Sequence, residues 1–532
     1  MKALAAFALT VGALVAASSA PEPASGASPQ TWQSRVGAAV RYAETRAGTV
    51  SFAVVDEAGR LHGYHARTVA PSASVLKAML LVAYLRRADV RDRPLQQWER
   101  DLLAPMIRRS DNNAATRMVG LVGEARLNAL ARAAGMELFR LHWPIWGESE
   151  ITPRGQAYFF DRIDALLPQR HRVYARHLLA TVVPSQRWGV GRVPHPGWRL
   201  YFKGGWGSGT GLVDHQVAQY AAGGERFSLA LFTRFNPNHD YGKETLRGLG
   251  VRLLAGVPRP SPRRAAVRRA TVDDGYLVTV GRGCSTLKIE PLGGSIHRYA
   301  TGAPSCGGFR LASAGPSALW SWRDGGASRL AAARYGSPAV ANLGTFGGSD
   351  PLGRLAAGGR VVAYLHGGSV TRVGGSDCAV PGARLAAGAG RVAVAAHGTI
   401  RVVDPGTCAV LRTLSAAGAV RALAVGEDVL GSLSEGRGGH LRLERFRIST
   451  GLRFGSTVVP RSTLSTLSLG HSWLLYRTPH LLRALAVGSG RSWTLWRPRL
   501  RVVGAGTSGG SALWLENHNG GARVWSLRLP AG

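Results

Sequence analysis

Lysine is scarce in this sequence. Lys2, Lys77, Lys203, Lys243 and Lys288 are its five, against 66 lysines and arginines together, so nearly every cation is an arginine. The net charge of +35 on its own suggests a nucleic-acid partner. A phosphate-binding surface usually gathers its cations in a stripe. Here they are scattered, and the densest run, Arg259 to Arg269, lies in a Pro-rich stretch. Nucleic acid is therefore not expected; solvated faces, or attraction to anionic cell-envelope polymers, fit the scatter better. Cysteine is scarce too: Cys284, Cys306, Cys378 and Cys408 all lie in the second half. They form no CxxC or His-rich spacing, so no zinc site or other metal is expected, and no cofactor. Four cysteines suit an oxidising compartment, and pairing Cys284 with Cys306 and Cys378 with Cys408 closes the shortest loops. After residue 20 no apolar run is long enough to cross a bilayer.

What is present is a long, Gly-rich, globular composition: 532 residues, 45% apolar and 18% charged. At about 100–200 residues per domain it needs two to four domains. Residues 1–27 begin with one lysine, continue with an apolar run and end in small residues, as an export leader does. The expected product is exported, secreted or periplasmic, and soluble. The Pro- and Arg-rich stretch 256–269 (GVPRPSPRRAAVRR) reads as a linker. Before it, helical periods at 32–46, 74–184 and 240–254 alternate with strand patterns at 49–55, 198–203, 211–221 and 227–235. Helices inserted between two sets of strands predict an α+β sandwich over 28–255, with early and late strands sharing one sheet. After the linker, over 270–532, a short motif recurs: an apolar pair, a small turn, then a strand. It starts at Ala270, Arg310, Arg354, Arg384, Arg421, Leu464 and Arg501. Repeats of about 40 residues with four short strands predict an all-β domain, a seven-bladed β-propeller.

Three motifs in the first domain carry chemistry. In Ser74-Val75-Leu76-Lys77 the i and i+3 positions share one helix face, so Lys77 stands beside Ser74. A serine needs a base to attack a carbonyl, and a desolvated neutral lysine can serve; the helix N-terminus adds a dipole and free N–H groups. Ser110-Asp111-Asn112 reads as a polar turn that either presents a hydroxyl and a carboxamide to a cleft or caps a helix. Lys203-Gly204-Gly205 ends a strand whose glycines would let a substrate backbone lie along its edge. Two of the five lysines fall in these motifs, and lysine, unlike arginine, can give up its proton.

The ordered set SVLK, SDN and KGG resembles the serine β-lactamase and penicillin-binding protein superfamily, closest to class A β-lactamases with SxxK, SDN and KTG. MIRRSDNNAATRM and ITPRGQAYFF resemble that group's helix around SDN and its Thr-Pro helix start; the resemblance covers about 32–255. It implies a β-lactamase-like fold with a helical lobe and acyl transfer through a Ser74 acyl-enzyme. By position, Ser74 would be the nucleophile, Lys77 its proton acceptor and Ser110 the proton donor to the leaving nitrogen. Asn112 would bind the substrate amide, Lys203 a carboxylate, and Gly205 and Trp206 the substrate edge. The N–H groups of Ser74 and Trp206 would form the oxyanion hole, and Asp111 would be structural.

Two departures bear on turnover. Gly204 stands where the family has threonine, and the segment between Leu141 and Thr152 is shorter than a full Ω loop. The deacylating glutamate would fall near Ile145, which is no base, leaving Glu148 and Glu150 as the nearby acids. Three functions compete: hydrolysis of β-lactams or related amides, a D-Ala-D-Ala peptidase or esterase, and a non-catalytic cell-wall binding or sensor protein in which the propeller does the work.

Overall fold

The computed structural model describes residues 31–530 except 210, 223–224, 262–263, 293, 348–351, 359–360, 367–368, 373–376, 465, 471, 499–500, 509 and 519–520. The expected leader, 1–27, lies outside the described residues. No helix among them is long and apolar enough to cross a membrane.

The first helix, α1 (Trp32–Glu44), starts where the Thr31 hydroxyl accepts the Ser34 N–H. Two strands follow, β1 (Thr49–Val55) and β2 (Leu61–Tyr64). The helical segment runs through α2 (Leu76–Leu85), α3 (Gln97–Arg108), α4 (Asn112–Val122), α5 (Glu124–Ala134), α6 (Pro153–Leu166) and α7 (Gln169–Ala180). Strands β3 (Arg199–Gly207), β4 (Val213–Ala222) and β5 (Glu225–Arg234) lead to α8 (His239–Leu254). The five strands make one antiparallel sheet in the order β2-β1-β5-β4-β3, so early and late strands do share a sheet and β3 is its edge. Alternation decides the two faces. Ala53, Val55, Val217 and Phe232 join the core built on α2 to α7, whereas Phe52, Val54, Ala218 and Leu231 join the core under α1 and α8. Helix α2, apolar all round, is buried along its whole length in the first of these cores.

From residue 267 onward the described residues form many antiparallel sheets: four strands each over 267–300, 310–346, 352–378, 384–415, 419–459 and 467–496, and three over 501–528. The sheet starts follow the recurring sequence motif closely. The 256–269 stretch is not the unpaired linker expected. Arg259–Pro260 and Arg264–Ala265 pair with the last strand, Gly521–Arg528, and complete its sheet. Backbone pairing needs only N–H and C=O groups, which composition does not reveal. The disulfides are Cys284–Cys306 and Cys378–Cys408, the shortest-loop pairing. One apolar cluster joins the two regions: Trp198 packs 4.9 Å from Phe227 and 5.5 Å from Trp525.

Candidate functional site

Ser74 sits in a 3₁₀ turn, Ala73–Val75, that runs directly into α2. The residue before it, Ala73, holds φ at 43°, a left-handed conformation costing about 1–3 kcal/mol outside glycine. The turn is held by Ser72, whose N–H donates to the Ser149 carbonyl at 2.7 Å. Lys77 follows one turn later and is fully buried. Its ammonium makes its three hydrogen bonds at the start of α4: to Ser110 O at 2.6 Å, Ser110 Oγ at 3.1 Å and Asn112 Oδ1 at 2.7 Å. Burial pushes the Lys77 ammonium down to about 7, although the Asp111 charge works in the opposite direction.

The Ser110 turn has its own strain, with φ at 58°. Asp111 caps α4 by accepting the Ala114 N–H at 2.8 Å, while Ser110 and Asn112 meet the Lys77 amine. From across the domain, Lys203 Nζ donates to Ser110 Oγ at 3.0 Å and to its neighbour's carbonyl, Gly204 O, at 2.6 Å. Lys203 is fully buried, and burial together with the Lys77 charge pushes it well below the usual lysine range. Two lysine amino groups thus converge on one hydroxyl. Such a site can relay a proton between them and is short of negative charge.

Strand β3 does not end at the Lys-Gly-Gly motif but continues to Gly207, so Lys203 lies in mid-strand on the edge of the sheet. Lys203 and Gly205 share the face towards Ser74. A Cβ on Gly205 would lie 2.8 Å from both Ser74 N and Val75 N, so only glycine lets the strand approach the turn this closely. Gly204 faces the other way: a Cβ there would lie 3.0 Å from Trp188 Cζ2. The indole occupies the space a threonine would need. Trp206 is 38% exposed and meets Trp188 edge-on at 6.0 Å.

The short segment between Leu141 and Thr152 carries Ile145, 60% exposed, and the 3₁₀ turn Trp146–Glu148. Glu150 is tied by backbone pairing to Arg140, by an ion pair to the Arg140 guanidinium, and by a 3.5 Å contact to His142 Nε2. Thr152 caps α6 with Pro153 in its first turn.

Residues 98–256 match the beta-lactamase enzyme family. This beta-lactamase family match takes in Ser110, Asn112 and Lys203 and begins after Ser74 and Lys77. Comparison with curated proteins finds no match. Among solved structures the chain is similar to the beta-lactamase from Sphaerobacter thermophilus DSM 20745, at 22% identity over 43% of this chain and 100% of that one, TM-score 0.37. It is also similar to an ancestral class A beta-lactamase, at 20% identity over 42% of this chain and 100% of that one, TM-score 0.37.

Motif reading missed three residues that surround these side chains. Trp146 places its ring 5.1 Å from Lys77 Nζ and is fixed by donating to Thr116 Oγ1 at 3.0 Å. Trp188 backs Gly204 and Trp206. His215, opposite Gly205 in β4, is buried, stacks on Phe232 at 4.3 Å and has an Nε2 contact to Pro71 O at 3.1 Å. The only sequence sign was the tryptophan content of 143–146 and 188. Among the described residues no group of three or more His, Cys, Asp and Glu gathers to hold a metal ion.

Proposed function

We propose that this chain is an exported serine hydrolase of the class A β-lactamase-like group, acting on β-lactams or related amides through an acyl-enzyme on Ser74. The supporting observation is the convergence of Lys77 and Lys203 on Ser110 Oγ beside the Ser74 turn. Lys77, half neutral near pH 7, takes the Ser74 proton as Oγ attacks the amide carbonyl. The carbonyl oxygen becomes an oxyanion held by the N–H groups of Ser74 and Trp206. When it collapses, the C–N bond breaks and Ser110 Oγ gives its proton to the leaving nitrogen, to be replenished from Lys77. Asn112 Oδ1 orients Lys77 and, with Trp206 and Gly205, binds the substrate edge. Lys203 receives the substrate carboxylate, whose charge favours the protonated form of that buried amine.

Release of the acyl group is the weak step. Ile145 stands where the family's deacylating glutamate would fall, and Glu150 is engaged by the Arg140 guanidinium. That observation favours a second reading, a penicillin-binding protein that acylates and then holds its adduct. For the second half we propose a seven-bladed β-propeller over 270–532. The first strand of each sheet packs beside the first strand of the next, and Val267–Asp273 also packs beside Arg501–Ser508 of the last. The short strands within 256–269 would close the ring by joining the start and the end of the second half in one sheet.

A chromogenic β-lactam time course read by intact-protein mass tests the hydrolase, with Ser74→Ala beside the natural chain. Turnover that Ser74→Ala abolishes supports a hydrolase. A stable single adduct on Ser74 supports the penicillin-binding reading. Absence of any adduct refutes both.

A further inference from the structure

The recurring motif of the second half begins, in most of its units, with an arginine, and nothing in the acyl-transfer chemistry uses them. The structure puts these arginines at corresponding places. Arg269, Arg310, Arg354, Arg384, Arg421 and Arg501 each lie among the first three residues of the first strand of a sheet. Those first strands are the ones that pack against one another from sheet to sheet. The remaining sheet, 467–496, has no arginine there but supplies Arg477 from the end of its second strand, beside the start of its first.

Proximity is directly visible between neighbouring units. Arg310 Nη1 donates to Leu352 O at 3.3 Å and also to Gly353 O, next to Arg354. Burial and the Arg354 and Arg421 guanidiniums push Arg384 below its usual value. Burial and the Arg268 and Arg501 charges do the same to Arg269, and burial with Arg501 to Arg477. Three of the strands shift register at the arginine: between Val267 and Arg269, between Leu352 and Leu355, and between Val420 and Ala422. Such bulges re-aim a side chain out of the pleat.

Counter-charge is sparse. Glu435 pairs with Arg421. Among the described residues no carboxylate forms an ion pair with Arg269, Arg354, Arg384, Arg477 or Arg501. The Nε–H groups of Arg384 and Arg477 are buried without an acceptor. Guanidinium groups do not shed their protons near neutral pH, so their mutual repulsion persists until an anion offsets it.

We propose that this arginine crown, at the mouth where the first strands meet, binds a ligand bearing several clustered phosphate groups. The proposal rests on the closed-ring reading of the second half and not on the hydrolase. Phosphate fits better than carboxylate because each group brings up to two charges and three acceptor oxygens to a guanidinium fork within a small space. A free polyphosphorylated solute has this chemistry in full at its terminal groups; the phosphodiester chain of a cell-envelope polymer has it in part, with one charge and two free oxygens on each of many closely spaced groups.

Titration calorimetry on the full chain, with inorganic tripolyphosphate and separately with poly(glycerol phosphate), tests it. Two double variants are compared: Arg354→Gln with Arg384→Gln, and Arg269→Gln with Arg501→Gln. Arg298→Gln, exposed on an outer strand, is the control, and thermal unfolding checks that each variant folds. One binding site is expected, weakened at least about tenfold by either double variant, by less than twofold in the control, and weakened by salt. Tighter binding of the polymer assigns the ligand to the envelope; equal or tighter binding of tripolyphosphate assigns it to a free solute. Loss in the first pair alone refutes the closed ring while leaving the Ser74 adduct untouched. Natural-chain affinity in both variants, no binding of either probe, or tighter binding of duplex DNA than of either probe overturns the proposal.

Discussion

Acylation of Ser74 should rise with pH through about 7. The reasoning starts from Lys77, whose ammonium burial pushes down to about 7. Only the neutral amine can take the serine proton. At pH 6 about one lysine in eleven is neutral and at pH 8 about ten in eleven, so the single-turnover rate should climb about tenfold over that interval and then level. Lys77→Arg keeps a cation but cannot become neutral, and should lower the rate by about 10²–10⁴. Another group titrates nearby: Asp214, opposite Trp206 in β4, is pushed up to about 6 by burial. Asp111→Asn separates the two. It preserves the α4 cap, because asparagine caps as well as aspartate, but removes the charge that raises Lys77. Its midpoint should therefore move down. The assay is the rate of adduct formation by intact mass from pH 5.5 to 8.5 with a β-lactam in excess. A flat profile, a falling one, or a midpoint that ignores Asp111→Asn would refute Lys77 as the base.

Gly205→Ala places a methyl 2.8 Å from Ser74 N and Val75 N, which must give way by several tenths of an ångström; we expect about a 10²-fold slower acylation, read by the same adduct assay. Glu150→Gln should leave the lifetime of the Ser74 adduct within twofold, since that carboxylate is already paired with the Arg140 guanidinium, and pulse-chase mass spectrometry would expose a larger change. Glu516, buried against Trp496 and Trp514, is pushed up to about 8 by burial and by the Glu225 charge, from an ordinary 4.5. The folded chain therefore keeps a proton that the unfolded chain releases near 4.5, stability falls as pH rises between those values, and Glu516→Gln should flatten that slope in urea denaturation from pH 5 to 8.

Some of this was readable because it is local. Ser74 and Lys77 fall one turn apart by spacing alone, Thr152-Pro153 writes a helix start, and the strand 49–55 has the β-branching of its type. The sheet starts of the second half were readable for a different reason: a repeated unit repeats the residues of its first strand, so Arg310, Arg384 and Arg501 mark strand starts directly. Hidden features depend on distant backbone. No spacing rule brings Lys203 to Ser110 across 93 residues, and nothing in an alanine codon announces that Ala73 will adopt φ of 43°.

Gly204 and the 256–269 stretch show how the hidden part misleads. By motif, Gly204 is a missing hydroxyl in the substrate site. By structure, position 204 points at Trp188, on the opposite face of β3 from Lys203 and Gly205. Restoring threonine there would first have to displace a buried indole that also supports Trp206, so the departure is coupled to the packing of Trp188 and cannot be undone one residue at a time. The 256–269 stretch is the converse: its side chains suit a linker, but its backbone pairs with Gly521–Arg528. Pro260 loses no bond there, because a short outer strand leaves one edge unpaired and tolerates a missing N–H. In both places the residue type speaks for the side chain, while the outcome is set by what occupies the space beyond it.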